Sequence, residues 1–468
     1  MERQKKMEET IGFLHAKIVS LEIENQNKLE KNNEFLLAKI ASLEAELAIY
    51  KNKKNSNNSH IPPSQDQNRP KRNQSLREKT GKKPGGQFGH EGTTLEFNAE
   101  ADEVIAYMPS YCNNCGNALS AVTGTFIEGR KVIDIPVIKP VYVEHRIYRK
   151  ICSCGHCMES KFPTYVAASL QYGPNIESLI GYLHGRQYLP YNRMKELFTD
   201  VMNLPLSVGG INSVLTRLCA KALPHYGKIK ERISQSSFAG TDETSVKVNG
   251  QNNWMWAWQN DELTFIVHSD NRAARTIEKQ FPDGLPLTGL LHDRYACHFN
   301  CDAPYHQMCM AHLLRDLKYI IELYDYKCEW AIQLKALILE ALELKKIMLP
   351  FQYYQPNEQR NNIVNNLEIL LHPTLHQDHA KAKTLLKNLL KHQQSMFNFL
   401  WYPQLPPDNN GSERAIRNIK VKQKISGQFK SDQGADCFAT IRSVIDTTIK
   451  SGQNVLAALR LISTYGAE

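Results

Sequence analysis

Apolar residues over positions 8–50 fall at 11, 14, 18, 21, 29, 36, 40, 43, 47 and 50, mostly three or four apart. That spacing predicts one long helix carrying a narrow apolar seam. The step from Leu21 to Leu29 is eight residues, so the register slips once, and Asn25 and Asn33 fall on the seam. FLHAKIVSLE at 13–22 recurs as FLLAKIASLE at 35–44. A narrow seam on a chain rich in Glu and Lys favours a coiled coil, and with it a homo-oligomer, over a lone amphipathic helix packed on its own core.

Beyond this coiled coil (1–50) the pattern changes six times. Residues 51–98 are polar, basic and interrupted by prolines, which predicts a linker without a packed core. Residues 99–165 alternate apolar and polar, as in KVIDIPVIKPVYVEHRIYRKI, and predict strands. Residues 166–235 return to helical periodicity; Gly209-Gly210 near a turn fits a helix-turn-helix that binds DNA, or a plain helical bundle. From 236 to 315 strands dominate (SSFAGTDET, VKVNG, NWMWAWQ, LTFIVHS, LTGLLHD), with one helix among them. Residues 316–403 are helical again and too apolar for a disordered loop. Residues 404–468 supply further helices. The fold class predicted is multidomain α/β, with a mixed sheet covered by helices and interrupted by a helical insertion.

Charge changes the picture. The chain carries +9 overall, and ten Lys/Arg against three acids lie between Lys51 and Glu91. Arg414 to Lys430 holds six bases and no acid. Positive charge gathered in two places suits a polyanion such as DNA, although a solvated basic tail is the plainer reading of the first block. Lys71, Arg72, Lys82 and Lys83 in the linker, and Arg414, Arg417, Lys420, Lys422 and Lys424 near the C-terminus, are the candidate phosphate contacts. No run of eighteen apolar residues occurs and the start has no apolar core behind its bases, so neither a membrane span nor a secretory signal is expected. A cytoplasmic location follows as the working expectation.

Five of the eleven cysteines crowd into 112–157. Cys112-Asn-Asn-Cys115 and Cys154-Gly-His-Cys157 are two C-x-x-C knuckles, which together would hold one structural zinc ion through four thiolates. The gap between them is wider than usual, and Cys152 and His156 are spare donors.

Asp242 closes one expected strand, Asp293 closes another, and Glu413 opens an expected helix. Carboxylates converging from separate elements are what two-metal phosphodiester cleavage needs. On the residues alone, Asp242 is equally a turn or cap residue, and Glu413 can simply pair with Arg417 four positions on.

The strings KKPGGQFGHEG, the cysteine knuckles, QYLPYNRMKELF, GTDET followed by VNG and WMWAW, LLHDRYACHF, CMAHLLRDL and PPDNNGSERAIRNIKVKQKISGQFKS resemble the insertion sequence 66 family of transposases, from about residue 55 onward. The resemblance implies a ribonuclease-H-like catalytic domain split into 236–315 and 404–468. It implies a two-Asp-one-Glu triad at Asp242, Asp293 and Glu413 holding two Mg2+ (or Mn2+) ions. Also implied are metal-dependent cleavage and strand transfer of DNA at transposon ends and target, in a bacterial, nucleoid-associated protein that acts with small accessory proteins. His312, Arg315 and Asn410 (with Asn409) belong to the family pattern as auxiliary residues. His312 and Arg315 could orient a phosphate or hold a carboxylate such as Asp316 or Asp293. Phe88 stands where the family usually has proline, and Arg294 where glycine is common. The competing reading is a catalytically inactive, zinc-containing DNA-binding protein derived from a transposase.

Deleting residues 1–50 should lower the oligomeric state measured by light scattering without DNA. An unchanged mass would remove the coiled coil as the self-association element.

Overall fold

The computed structural model describes residues 2–55, 58–59, 66–67, 89, 100–163, 165–166, 168–372 and 379–465. The basic residues Lys71, Arg72, Lys82 and Lys83, and Phe88, lie outside the described residues. The chain divides into one large unit (1–70, 144–196 and 206–468) and one small unit (71–143 with 197–205).

In the large unit, α1 (Glu2–Lys51) is a single helix. Its seam residues Leu14, Ile18, Leu21, Leu36, Ile40 and Leu43 stand exposed. A short hairpin of β1 (Arg149–Ile151) and β2 (Cys157–Glu159) follows. Then come the helices α2 (Pro174–Gly185), α3 (Tyr191–Met202) and α4 (Val208–Ser234). Ser207 caps α4 by accepting from the Gly210 N–H, so Gly209 and Gly210 belong to its first turn.

The sheet comprises β3 (Phe238–Val248), β4 (Gln251–Gln259), β5 (Thr264–Ser269), β6 (Gly289–His292) and β7 (His306–Met308), with α5 (Ala274–Gln280) between β5 and β6. Its order is β5-β4-β3-β6-β7. β3 to β5 pair antiparallel, whereas β6 pairs parallel with both β3 and β7. Asn249 and Gly250, both at positive φ, make the tight turn between β3 and β4.

Two features of β3 differ from the expectation. SSFAGTDET and VKVNG form one strand, and Asp242 stands within it. The parallel pairing to β6 stops at Gly240, while the antiparallel pairing to β4 runs on to Val248. Asp242 therefore sits just past the point where the two partners of β3 diverge.

Between β7 and the return of the chain lie α6 (Met310–Leu323), α7 (Glu329–Ile347), α8 (Glu358–Leu370) and α9 (Ala380–Lys391), with 3₁₀ turns and, among the described residues, no strand. Their apolar faces share one core with Phe238, Leu291 and Met308 of the sheet. The chain returns as α10 (Asn410–Ser426), followed by α11 (Asp432–Lys450) and α12 (Val455–Tyr465). Ala415, Ile416 and Ile419 of α10 and Phe438 of α11 pack on Val246, Met255, Ala257 and Ile266. Helix α11 also caps the β5 edge: Ser443 and Thr447 hydroxyls accept from the Ile266 and Thr264 N–H groups. Those donors would otherwise be an open sheet edge. Helices α2 and α4 pack against α12 and α11.

In the small unit, Tyr111 and Ala118 form an isolated bridge. Among the described residues of 99–165, that bridge and the β1–β2 hairpin are the extent of the expected strands. Ile133, Ile135, Val137, Val141 and Val143 alternate as a strand would, yet they are exposed. Alternation describes one buried face; it does not by itself supply the hydrogen-bonding partner a strand requires.

Helix α10 approaches β3 and β4 closely because glycines stand at the crossing. A Cβ on Gly240 would lie 2.6 Å from Asn409 Oδ1 and 2.8 Å from Ser412 Oγ; one on Gly411 would lie 2.3 Å from Gln259 Nε2. Gly240→Ala should cost about 1–3 kcal/mol in urea unfolding, since inserting a methyl into a filled contact forces it apart. Gly227→Ala, where nothing lies within 4 Å, should not destabilise. Equal behaviour of the two variants would refute the close crossing.

Candidate active site

Asp242, Asp293 and Glu413 are presented by β3, the residue after β6, and the first turn of α10. Burial pushes the Asp242 carboxyl well above the usual carboxylate range, and the charges of Glu243, Asp293 and Glu413 push the same way. The Glu243 N–H, which donates to Asp242 Oδ1 at 2.9 Å, opposes the shift. So Asp242 feels both other acids although Glu413 is 171 positions away in sequence.

Asn409 ties α10 to β3. Its Nδ2 donates to the Thr241 carbonyl at 2.7 Å, and its N–H donates to Cys309 Sγ at 3.2 Å. Met310 N–H donates to the Pro407 carbonyl at 2.9 Å, which docks the returning chain on the start of α6. Asn409 is the inward member of the Asn-Asn pair; Asn410 is exposed, with its N–H on Asp408. The first turn of α10 points 409 and 412 at the sheet, so of the two asparagines it is Asn409 that bonds β3.

His312 and Arg315 share a face of α6 that turns toward Glu413. His312 Nε2 is 3.9 Å, and the Arg315 guanidinium 3.8 Å, from Glu413 Oε1. Arg417, one turn along α10, donates to Glu413 Oε2 at 3.3 Å. Glu413 therefore rests among cations. Arg294, the departure from glycine, is ion-paired to Asp316.

A second layer of charge lies behind Asp293, and the sequence reading passed over it. Glu243 follows Asp242, so the two-residue period of a strand sends it to the opposite face. There its side chain is buried and accepts from Arg272 at 2.6 Å and from His298 Nε2 at 3.1 Å. Burial raises the Glu243 carboxyl, but the His298 and Arg272 contacts outweigh it and hold the group below the usual range. His298 Nε2 is also 3.7 Å from Asp293 Oδ1, whose other partner is the Tyr295 N–H at 3.0 Å. The Arg272 guanidinium lies over the Tyr295 ring, 4.2 Å from its centroid. The signal available was the Glu beside the Asp in GTDET.

Three carboxylates from three elements, one of them raised by burial and by its acidic neighbours, are hard oxygen donors of the kind that fit a divalent cation. As they stand, no three His, Cys, Asp or Glu side chains among the described residues are gathered closely enough to hold a metal ion. Glu413 is held toward His312 and Arg315 instead.

The basic face of α10 is narrower than its sequence suggests. Arg414, Arg417 and Lys424 are exposed. Lys422 is buried, with Nζ 3.3 Å from His184 Nδ1, and burial pushes it down to about 8. Lys420 donates to the Ser245 carbonyl at 2.7 Å. Helical periodicity turns these two lysines toward the sheet and α2 rather than outward.

The cysteine turns are described one at a time. In the first, the Cys112 N–H donates to the Asn117 carbonyl and the Cys112 carbonyl accepts from Gly116, at positive φ. In the second, Cys152 does the same with His156 and Gly155. Backbone N–H groups lower both the Cys112 and the Cys152 thiols. The second turn is one residue shorter than the first, with Cys154 inside it. Cys157 begins β2, opposite Ile151.

The profile described as Transposase IS66 family matches residues 169–437, from just ahead of α2 into α11. A profile of a family of unknown function matches residues 5–96. No curated protein matches the chain.

Removing the Glu243 carboxylate would leave Arg272 and His298 facing each other without their shared anion. Breaking a buried pair in this way costs about 3–5 kcal/mol. Glu243→Ala should lose that much in urea unfolding, with Glu243→Gln losing less. A fully stable Glu243→Ala protein would show that the network does not hold the site together.

Proposed function

Because the chain belongs to the IS66 family of transposases, whose profile spans more than half of it, we propose that it is the enzyme that cuts and rejoins the DNA of an insertion sequence. Asp242, Asp293 and Glu413 are its acidic triad on a ribonuclease-H-like sheet. The observation that carries this reading is the crossing of α10 on β3, where Asn409 Nδ2 bonds the Thr241 carbonyl and the first turn bearing Glu413 is held beside the strand bearing Asp242. The sheet supports it: three antiparallel strands followed by two parallel ones put the first strand at the centre, beside the fourth.

Asp242, Asp293 and Glu413 would hold the divalent ions, two Mg2+ or Mn2+. Bound there, such ions activate the attacking oxygen and stabilise the leaving one. The chain's own groups do the rest. His298 and the Tyr295 N–H fix Asp293, Asn409 fixes α10 on β3, and His312 and Arg315 bracket Glu413. Arg414, Arg417 and Lys424 lie exposed on the helix that carries Glu413 and would neutralise the phosphates of the entering strand. Lys420 and Lys422 are left out of that set because their ammonium groups face inward. The linker lysines and arginines (Lys71, Arg72, Lys82, Lys83) would add sequence-independent affinity.

The other proposals rest on the sequence reading. The exposed seam of α1 supports self-association through a coiled coil. Small accessory proteins are expected partners of this family. Cys112, Cys115, Cys154 and Cys157 would hold one structural zinc ion, with Cys152 and His156 as spare donors. Among the described residues no helix is long and apolar enough to cross a membrane.

Strand cleavage tests the central reading. A duplex bearing the element's own ends, incubated with magnesium, should be nicked by the unaltered protein. Glu413→Gln should bind the same DNA with equal affinity and cleave it at least about a hundredfold more slowly, the loss of a few kcal/mol of charge stabilisation. Equal cleavage by both proteins would overturn the triad.

A further inference from the structure

Next to Asp293 lies a cavity of about 590 Å³ that the triad chemistry does not use. One side is aromatic. Tyr295 and Phe299 line it, and the His392 ring stacks on Phe299 at 3.7 Å, only 15° from parallel. The other side is one face of α9. Lys381, Thr384, Asn388 and Lys391 all line the cavity, and their three-four-three spacing keeps them in register along that face. Two acids also line it. Asp293 belongs to the triad, and Asp316 is ion-paired with Arg294. The remaining charge on α9 is positive.

Size and lining together select a ligand. The volume falls in the range of sites that enclose one small molecule, so a double helix cannot enter. Flat aromatic faces receive a base, whatever its identity, by stacking. Ammonium groups spaced along a helix receive the phosphates on either side of it. A carboxylate of the triad at the rim fixes where such a strand would run.

We propose that this cavity receives a single unpaired nucleotide of the DNA strand that passes through the active site, its base laid on the His392 ring that already stacks on Phe299 and its phosphates across Lys381 and Lys391. The helical insertion would then contribute a strand-holding wall to the site. This rests on the transposase reading and adds to it a preference for DNA with a locally opened end.

Equilibrium binding without divalent metal separates the two. The full-length protein is titrated with a blunt duplex and with the same duplex carrying a short single-stranded extension that contains 2-aminopurine. The unaltered protein should bind the extended duplex more tightly and quench the 2-aminopurine as the base stacks. Lys381→Ala with Lys391→Ala should weaken binding of the extended duplex about tenfold, the order of one stacked and clamped base, and leave the blunt duplex unchanged. His392→Leu removes the flat ring, keeps an apolar side chain in its place and should restore fluorescence while duplex affinity stays constant. Equal losses on both duplexes, or quenching that survives His392→Leu, would overturn the cavity proposal alone. Failure of the unaltered protein to bind either DNA would overturn the transposase reading beneath it.

Discussion

The contact on which the candidate site depends is the crossing of α10 over β3. Two glycines remove the side chains that would hold the elements apart, and Asn409 then bonds the Thr241 carbonyl. This brings Glu413 to a strand that left the chain 171 positions earlier. Cys309 and Met310 secure the same junction from the start of α6, so one small region joins the sheet, the inserted helices and the returning helix. The helices α6 to α9 can therefore be long without separating the acids. Their core is shared with Phe238, Leu291 and Met308, which makes them an extension of the sheet's packing.

Charge is distributed in two layers around that junction. In front, burial raises Asp242, and the negative charges of Glu243, Asp293 and Glu413 add to the rise, so that a positive charge arriving there would be favourable. Behind, Glu243 is satisfied by Arg272 and His298 and helps hold Asp293 in position. Adjacent residues of one strand thus have opposite roles, one under electrostatic strain and one relieved of it. That division follows from the pleat, which sends neighbours to opposite faces.

Much of this was legible in the sequence. The two aspartates at strand positions, the glutamate opening a helix and the helical stretch after AHLLRDL could be read from period and residue type. What stayed hidden depended on partners. Asp242 was taken for a strand end, because nothing in GTDET says that one neighbouring strand stops there and the other continues. Lys420 and Lys422 read as part of a basic face, because a charge run does not disclose that the sheet and His184 occupy one side of its helix. The 131–143 segment has the alternation of a strand and no strand partner among the described residues. In the second cysteine turn it is Cys152 whose backbone closes the loop, which spacing alone does not disclose.

The order of the acids along the chain has a consequence for biogenesis. The Asn409–Thr241 bond spans 168 residues, and contacts of such separation form late, since loop closure must be met before they contribute. A ribosome that has released β3 to β7 has produced two carboxylates and none of the helix that brings the third. On the assignment proposed here, a nascent or prematurely terminated chain carries a sheet without a complete nuclease. Competence to break DNA would then arise only after the inserted helices have packed and the chain has come back, so that the topology itself delays a hazardous activity until synthesis of the domain is nearly done.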